Sequence, residues 1–255
     1  MEGNNKVTTE LDQQQRLLSV DTPLGPDVLV LQSFTASETI STLFSYHLEL
    51  LSSNDTIAPA DIVGKNITVR INLADGSQRY FNGHVSQFTG GALHTRELRR
   101  YRAEVVPWLW FLTRTTNCRI FQNKTVPQII EQVFQDLSFS DFEMDLQGSH
   151  PEHIYRVQYR ENAFDFVSRL MEEEGMFYWF RHEDGKHTLV MADHKGAYVD
   201  CPENAIDYVP GSLTEDHIGK WEHHYEYRSG KYAQTDYNFE TPSTSLVTKT
   251  NTLID

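Results

Sequence analysis

Long apolar runs are missing from this chain. Nowhere do eighteen consecutive apolar residues occur, so no stretch reads as a membrane-spanning helix. The amino terminus, Met1-Glu2-Gly3-Asn4-Asn5-Lys6, has no apolar segment of the kind a secretory signal needs, and a chain made and folded in the cytoplasm is expected. Cysteine is scarce: Cys118 and Cys201 cannot build a disulfide framework, and free thiols are expected. Without a secretory signal, the N-x-T triplets at Asn54, Asn66 and Asn123 are chance matches. Positive charge is also short, with 22 Lys+Arg against 36 Asp+Glu and a formal charge of -14. A phosphate backbone would be repelled, and the one basic cluster is Arg96, Arg99, Arg100 and Arg102, with Arg114 and Arg119 further on. No nucleic-acid partner is expected.

Catalytic signatures are absent too: there is no G-x-S-x-G, no P-loop and no G-x-G-x-x-G. His182-Glu183-Asp184-Gly185-Lys186-His187 resembles a zinc motif only superficially. H-E-x-x-H needs histidines four apart on a helix, whereas these lie five apart across a glycine turn. His223 and His224 are adjacent on an expected strand and point to opposite faces. No metal, cofactor or catalytic residue is assigned, and the residues read as scaffold.

What is present is a chain of 255 residues, 39% of them hydrophobic, enough for one large domain or two ordinary ones. It is organised around Val157 to Asp193, one short helix running into one hairpin. Asn162 suits an N-cap and Gly175 a C′ position, while Phe166, Val167, Leu170 and Met171 share one face. Met176 to Phe180 and Thr188 to Met191 then read as a hairpin closed around Asp184-Gly185 by at most six residues. Glu172, Glu173 and Glu174 fall in the last helical turn, where the macrodipole disfavours acids by about 0.3 to 1 kcal/mol each. Either they are solvated and loosely neutralised by Arg169 and Arg181, or they meet basic groups of another subunit.

Elsewhere the pattern is mostly β. Residues 1–15, polar and Gln-rich, read as a disordered arm. Residues 16–116 read as an antiparallel β-barrel or sandwich. Its strands are Arg16 to Val20, Asp27 to Ser33, the alternating stretches at Tyr46 to Leu50 and Ile67 to Leu73, Gln78 to Phe88, and Glu97 to Val106. Thr22-Pro23-Leu24-Gly25, Asp75-Gly76 and Gly90-Gly91 supply turns between them. Pro107 to Leu112 closes the unit with aromatic mass that belongs in a core. Residues 117–193 form a small α+β module. Its first helix opens at Thr125-Val126-Pro127-Gln128, a capping box, with Val126, Ile129, Ile130, Val133, Phe134 and Leu137 on the apolar face. A loop over Ser138 to Pro151 and a strand over Ile154 to Tyr159 follow. From 194 to 255, strands at Ala205 to Tyr208, Ile218 to Tyr227 and Ala233 to Phe239 start a second, truncated barrel.

Four blocks in order carry a family resemblance. Phe44 with Tyr46-His47-Leu48-Glu49-Leu50, Pro107-Trp108-Leu109-Trp110-Phe111-Leu112, and Arg119-Ile120-Phe121-Gln122 are three of them. The fourth is Val157-Gln158-Tyr159-Arg160-Glu161 with Phe166 to Gly175. The chain resembles the VgrG family of type VI secretion spike proteins from about Arg16 onward. The likeness is to the region similar to the baseplate hub of contractile phage tails. It implies a predominantly β, α+β fold and a homotrimer whose six barrels sit against an Hcp tube. A carboxyl-terminal OB-fold and β-helical needle would lead toward the target, with a tip protein and effectors as partners. It also implies assembly in the bacterial cytoplasm and export without a signal peptide. Where the family usually has a small hydroxyl residue and Asp, this chain has Asn162-Ala163, so one acid is lost at the helix start while Asn162 can still cap. Two alternatives stand beside this reading. One is a phage or phage-derived tail hub; the other is a carbohydrate-binding or hydrolytic module using Trp108, Trp110, Trp179 and Trp221.

Overall fold

The computed structural model describes residues 12–13, 15–73, 75–95, 98–199, 207–209, 218 and 220–251. Its first layer is a six-stranded sheet. The strands are β1 (Leu18–Asp21), β2 (Val30–Ser37), β3 (Ser45–Ser52), β4 (Asn66–Asn72), β5 (Gln78–Leu93) and β6 (Arg99–Val106). They pair antiparallel throughout, in the order β1-β4-β5-β6-β3-β2. The alternation in the sequence sets which face is inside: Tyr46, Leu48 and Leu50 of β3 and Ile67 and Val69 of β4 are buried in one core with Phe44, Val85 and Val105.

The sheet curls until its edge strands β1 and β2 approach, and Gln13 fills the seam. The Gln13 amide oxygen accepts the N–H of Val20 at 3.0 Å and of Leu31 at 3.2 Å. Its NH2 donates to the carbonyls of Val20 and Leu29, each at 3.3 Å. One side-chain amide thereby satisfies backbone groups on both edges, which an open barrel would leave unpaired. Pattern alone places Gln13 in a disordered arm; at 8% exposed it is part of the barrel instead. Residues 1–11 of that arm lie outside the described residues. Gly90-Gly91, expected to turn, does not. Strand β5 continues to Leu93 with a register shift against β6 between Gly90 and Leu93, and the chain reverses where His94 N–H donates to Leu98 at 2.7 Å. The glycines mark a bulge. Arg96 of the basic cluster lies outside the described residues.

A 3-10 segment, Trp108–Arg114, leads into the module and buries Trp108, Leu109 and Leu112. The module comprises β7 (Thr116–Lys124), α1 (Val126–Asp136), β8 (Phe142–Asp145), β9 (His153–Asn162), α2 (Ala163–Glu173), β10 (Phe177–Glu183) and β11 (Lys186–Ala192). The capping box forms: Gln128 N–H donates to the Thr125 hydroxyl at 3.4 Å, and Thr125 N–H donates to the Gln128 side chain at 3.0 Å. Asn162 caps α2 by accepting from Asp165 N–H at 2.7 Å, and Asp165 supplies an acid within the first turn in place of the one missing at Ala163. Gly175, at φ 69°, ends the helix as expected. Phe166, Val167, Leu170 and Met171 share a core with Ile129, Ile130, Val133 and Phe134 of α1.

Two elements of the module depart from the pattern reading. Strand β7, unforeseen, pairs antiparallel with β9 as a two-stranded ribbon, and β8 lies inside the stretch expected as a loop, pairing parallel with β11. The hairpin turn is Asp184-Gly185 alone, between Glu183 and its partner Lys186, with Gly185 at the positive φ of 74° such turns require.

The hairpin lies against β4 and β5 and joins module to barrel. Asn82, fully buried on β5, donates its N–H to His182 Nδ1 at 3.1 Å and accepts from His187 Nδ1 at 2.8 Å. Its NH2 donates to Asn66 at 2.7 Å, Thr68 at 2.9 Å and the Ile67 carbonyl at 3.1 Å. His187 Nε2 accepts Trp108 N–H at 2.9 Å, which fixes the Nδ1–H tautomer. At the hairpin tip Gly185 N–H reaches the Thr68 hydroxyl at 3.2 Å and Arg70 holds Asp184 at 3.1 Å. Barrel and module accordingly form one unit, residues 1–198, and residues 199–255 form a second.

In the second unit β12 (Lys231–Gln234) pairs antiparallel with β13 (Thr248–Asn251), and Tyr208 bridges Ile218. The strand expected over Ile218 to Tyr227 is not formed at residues 220–227, and the one expected to reach Phe239 ends at Gln234. Residues 205 and 206 of the strand expected over Ala205 to Tyr208, and Cys201, lie outside the described residues. Trp221, Tyr225, Tyr227, Tyr237 and Phe239 are all exposed, so the described part of this unit has no core of its own.

Candidate assembly surface

The ribbon of β7 and β9 has two unlike faces. Inward, Phe121 and Gln158 are buried, and Phe121 stacks on Phe166 of α2 at 5.5 Å between ring centroids. Outward, cross-strand pairs Cys118 with Tyr159, Ile120 with Val157 and Gln122 with Tyr155 share one side of the pleat. Ile120 is 67% exposed, Tyr159 64% and Tyr155 63%. On a chain of net charge -14, apolar side chains exposed together in this way make the ribbon a candidate contact face.

The acidic end of α2 lies against the same ribbon. Glu173 pairs with Arg156 of β9 at 2.8 Å and with Arg169 one turn earlier at 3.3 Å. Glu174 takes His150 Nδ1 at 2.9 Å and His153 Nε2 at 3.4 Å. Burial alone would raise the Glu174 carboxyl, but the hydrogen bonds and charge of the two histidines outweigh it and hold it below the usual range. His150 Nε2 meets Asp193 at 3.1 Å, and Asp193 also accepts the N–H groups of Gln147 and Gly148 at 2.8 Å each. One imidazole therefore clasps the end of α2 to the end of β11. Arg181, the other cation expected beside the acids, is bound to Glu143 instead. Among the described residues no side-chain hydrogen bond or ion pair engages Glu172; its backbone carbonyl accepts Gly175 N–H at 3.3 Å. Of the three acids proposed as subunit contacts, Glu172 alone keeps a free carboxylate, because His150, His153, Arg156 and Arg169 already occupy Glu173 and Glu174. The tail of three glutamates and its partner Arg169 were legible in sequence; His150, His153 and Arg156 were not, since they come from a loop and a strand that precede the helix.

Most of the residues weighed for other chemistry are engaged in packing or hydrogen bonds within the chain. The ring nitrogens of His182 and His187 are occupied: His182 Nε2 lies 3.1 Å from the Tyr46 hydroxyl and 3.3 Å from Glu38, and the remaining three take Asn82 and Trp108. Among the described residues no group of three or more metal-ligating side chains is found. Trp108 is buried, its indole N–H on the Asp141 carbonyl at 3.2 Å, and Trp110 is half-buried beneath Arg114 at 4.2 Å. Trp179 is half-buried on β10, and Trp221 is exposed in the other unit. With Trp108 inside the core, the four rings do not line one sugar-binding cleft. Among the described residues no helix is long and apolar enough to cross a membrane.

The phage tail baseplate hub (GPD) family matches residues 37–253. The type VI secretion system spike protein VgrG1c of Pseudomonas aeruginosa is 46% identical over 243 residues, covering 94% of this chain and 33% of that protein. The chain thus spans about a third of the length of such relatives. Among solved structures, an E. coli component of the type VI secretion system, c3393, similar to T4 bacteriophage tail proteins gp27 and gp5, superposes with a TM-score of 0.61 at 22% identity. That match covers 89% of this chain and 55% of that one. A tail protein from Neisseria meningitidis gives 0.58 at 12% identity, covering 93% and 67%. The chain belongs to the phage tail baseplate hub family, and over 94% of its length it is similar to part of a type VI secretion spike protein.

Proposed function

We propose that the chain is the hub of a type VI secretion spike, three copies closing into a collar that joins an Hcp tube to a needle and helps deliver effectors into target cells. The needle and its OB-fold would belong to the same polypeptide, with a tip protein beyond them. Assembly takes place in the bacterial cytoplasm, and export follows through the secretion system without a signal peptide. The work is done by shape and contact, and no side chain makes or breaks a bond.

The observation that carries this reading is the exposed apolar face of the ribbon, Ile120, Tyr155, Val157 and Tyr159. A ring of copies needs a face that meets a different face of the next copy, repeated by rotation, and an unpaired ribbon offers both side chains and strand edges for that purpose. The tail-protein match of the Neisseria structure favours a second reading, a phage-derived tail hub; it uses the same assembly, and the genes beside this one separate the two.

Replacing Ile120 with Glu tests the face. Since Ile120 is 67% exposed, the subunit's own melting temperature should stay within about 2 °C. Subunit association in the full-length protein should weaken by about tenfold or more, as sedimentation would show. Unchanged association would remove the ribbon from the contact.

A further inference from the structure

Arg160 is held in a backbone conformation that its side chain does not favour. The pairing of β7 with β9 shifts register there: Asn117 faces Glu161 and Cys118 faces Tyr159, so Arg160 is the extra residue of a bulge. Its φ is 52°, in the left-handed region. Among the described residues the other non-glycine positions of positive φ are Asp27, Ser41, Asn123 and Ser138, all with short polar side chains. Glycine sits in such a bulge without strain, and a long side chain does not. Strain of this kind persists where something compensates for it, and functional surfaces are where it gathers.

The compensation is not found within the chain. Arg160 is exposed, and among the described residues its guanidinium has no hydrogen bond or ion pair. The acids nearest in sequence are engaged elsewhere, Glu161 with Arg169 at 2.7 Å and Asp165 with Asn162 Nδ2 at 2.7 Å. What Arg160 does touch is the ring of Tyr159, with Cζ 5.2 Å from the centroid. At an exposed site that contact is weak. Its geometry is more telling than its strength. Regular alternation would send residue 160 to the inward face with the buried Gln158, and the bulge instead brings the guanidinium out over Tyr159.

The arginine thereby joins the outward face of the ribbon. The outward pairs, Cys118 with Tyr159, Ile120 with Val157 and Gln122 with Tyr155, contain no acid, although 36 residues of the chain are acidic. Tyrosines, aliphatic side chains and an arginine with free donors are the composition of an interface centre. Two copies of net charge -14 repel one another, so a contact between them must keep acids off one side and set a cation against the surplus acids of the other. We propose that Arg160 is the charged contact of the ribbon face, its guanidinium donating to a carboxylate of a second copy of this chain. This rests on the ribbon being the subunit contact. Because the outward pairs hold no acid themselves, the carboxylate comes from a different face of the next copy. The contact is then head-to-tail, which closes rings of three and does not make a two-fold dimer.

Sedimentation of the full-length protein with substitutions at position 160 tests this assignment. Arg160→Gly relieves the backbone, so its circular dichroism should match wild type, while its self-association should weaken about tenfold or more. Arg160→Gln should show a similar loss at about 50 mM salt. Its gap from wild type should shrink to about threefold or less at about 1 M salt, where charge is screened. Wild-type association of Arg160→Gly overturns the proposal, by leaving the bulge a matter of chain geometry alone. So does a gap for Arg160→Gln that is as wide in high salt as in low. If Ile120→Glu weakens association and Arg160→Gly does not, the ribbon stays the contact and only the arginine's part fails. If Arg160→Gly weakens it and Ile120→Glu does not, the guanidinium contact stands and the apolar face drops out. A wild-type protein that stays a single chain overturns both.

Discussion

A Leu170→Asp protein is expected to lose the module altogether. Leu170 is fully buried on α2, in a core with Phe134, Phe166, Val167 and Met171. Removing its side chain forfeits about 1.5 to 3 kcal/mol of burial. The aspartate must then either ionise without a partner in an apolar core or take up a proton, at a further cost of several kcal/mol. A total of about 5 kcal/mol or more is comparable to the whole stability of an ordinary domain. Leu170→Met is the control, since a volume-conserving exchange costs less than about 1.5 kcal/mol. Urea unfolding followed by circular dichroism would separate the two variants. A wild-type midpoint for the aspartate protein would mean that this face of α2 is not the core.

Mild acid is expected to loosen the joint between barrel and module through His187. Burial, then the neighbouring charges of His182 and His84, push its pKa down to about 3. In the unfolded chain it titrates near 6.5. Above that pH both states are neutral and His187 has no effect on the pH dependence. Below it the unfolded chain takes a proton that the folded one refuses, so stability falls as pH drops from about 6.5 toward 3. By pH 5 the loss amounts to about 2 kcal/mol. Burial also lowers His84, in the same direction, whereas Glu174 and Asp193, both held low, lose stability only below the ordinary carboxylate range. The interval from pH 6.5 to 5 therefore belongs to the histidines. His187→Gln keeps an acceptor for Trp108 N–H and a donor for Asn82 but cannot titrate. It should cut the loss between pH 7 and pH 5 to about half or less, whatever its stability at pH 7. An undiminished slope would show that His187 is not the group responsible.

What could be read from sequence is what local chemistry decides. The Thr125 capping box, the Asn162 cap, the Gly175 stop and the apolar faces of both helices each depend on residues within two turns, and each forms as the spacing requires. The alternation in β3 and β4 works for the same reason. Strand β7 was not legible because its outward residues include Ile120: an apolar residue on a wet face spoils the two-sided pattern by which strands are recognised. Strand β8 has four residues and is held by β11, some forty-five positions later, while Gly90-Gly91 carried a turn signal that the surrounding sheet overrode. Gln13 and Asn82 act through partners up to about a hundred positions away, so no local rule marks them. The candidate assembly surface was half legible. The three glutamates stood out as a broken helix rule, but only the fold shows that Glu173 and Glu174 are occupied within the chain and that Glu172 is the free one.

The mass of the full-length protein in solution bears on all of this most directly. Sedimentation equilibrium at micromolar concentration should return a particle of three chains, and Ile120→Glu should shift it toward one. A well-folded wild-type protein that sediments as a single chain across that range would contradict the collar, and with it the account of how this chain works.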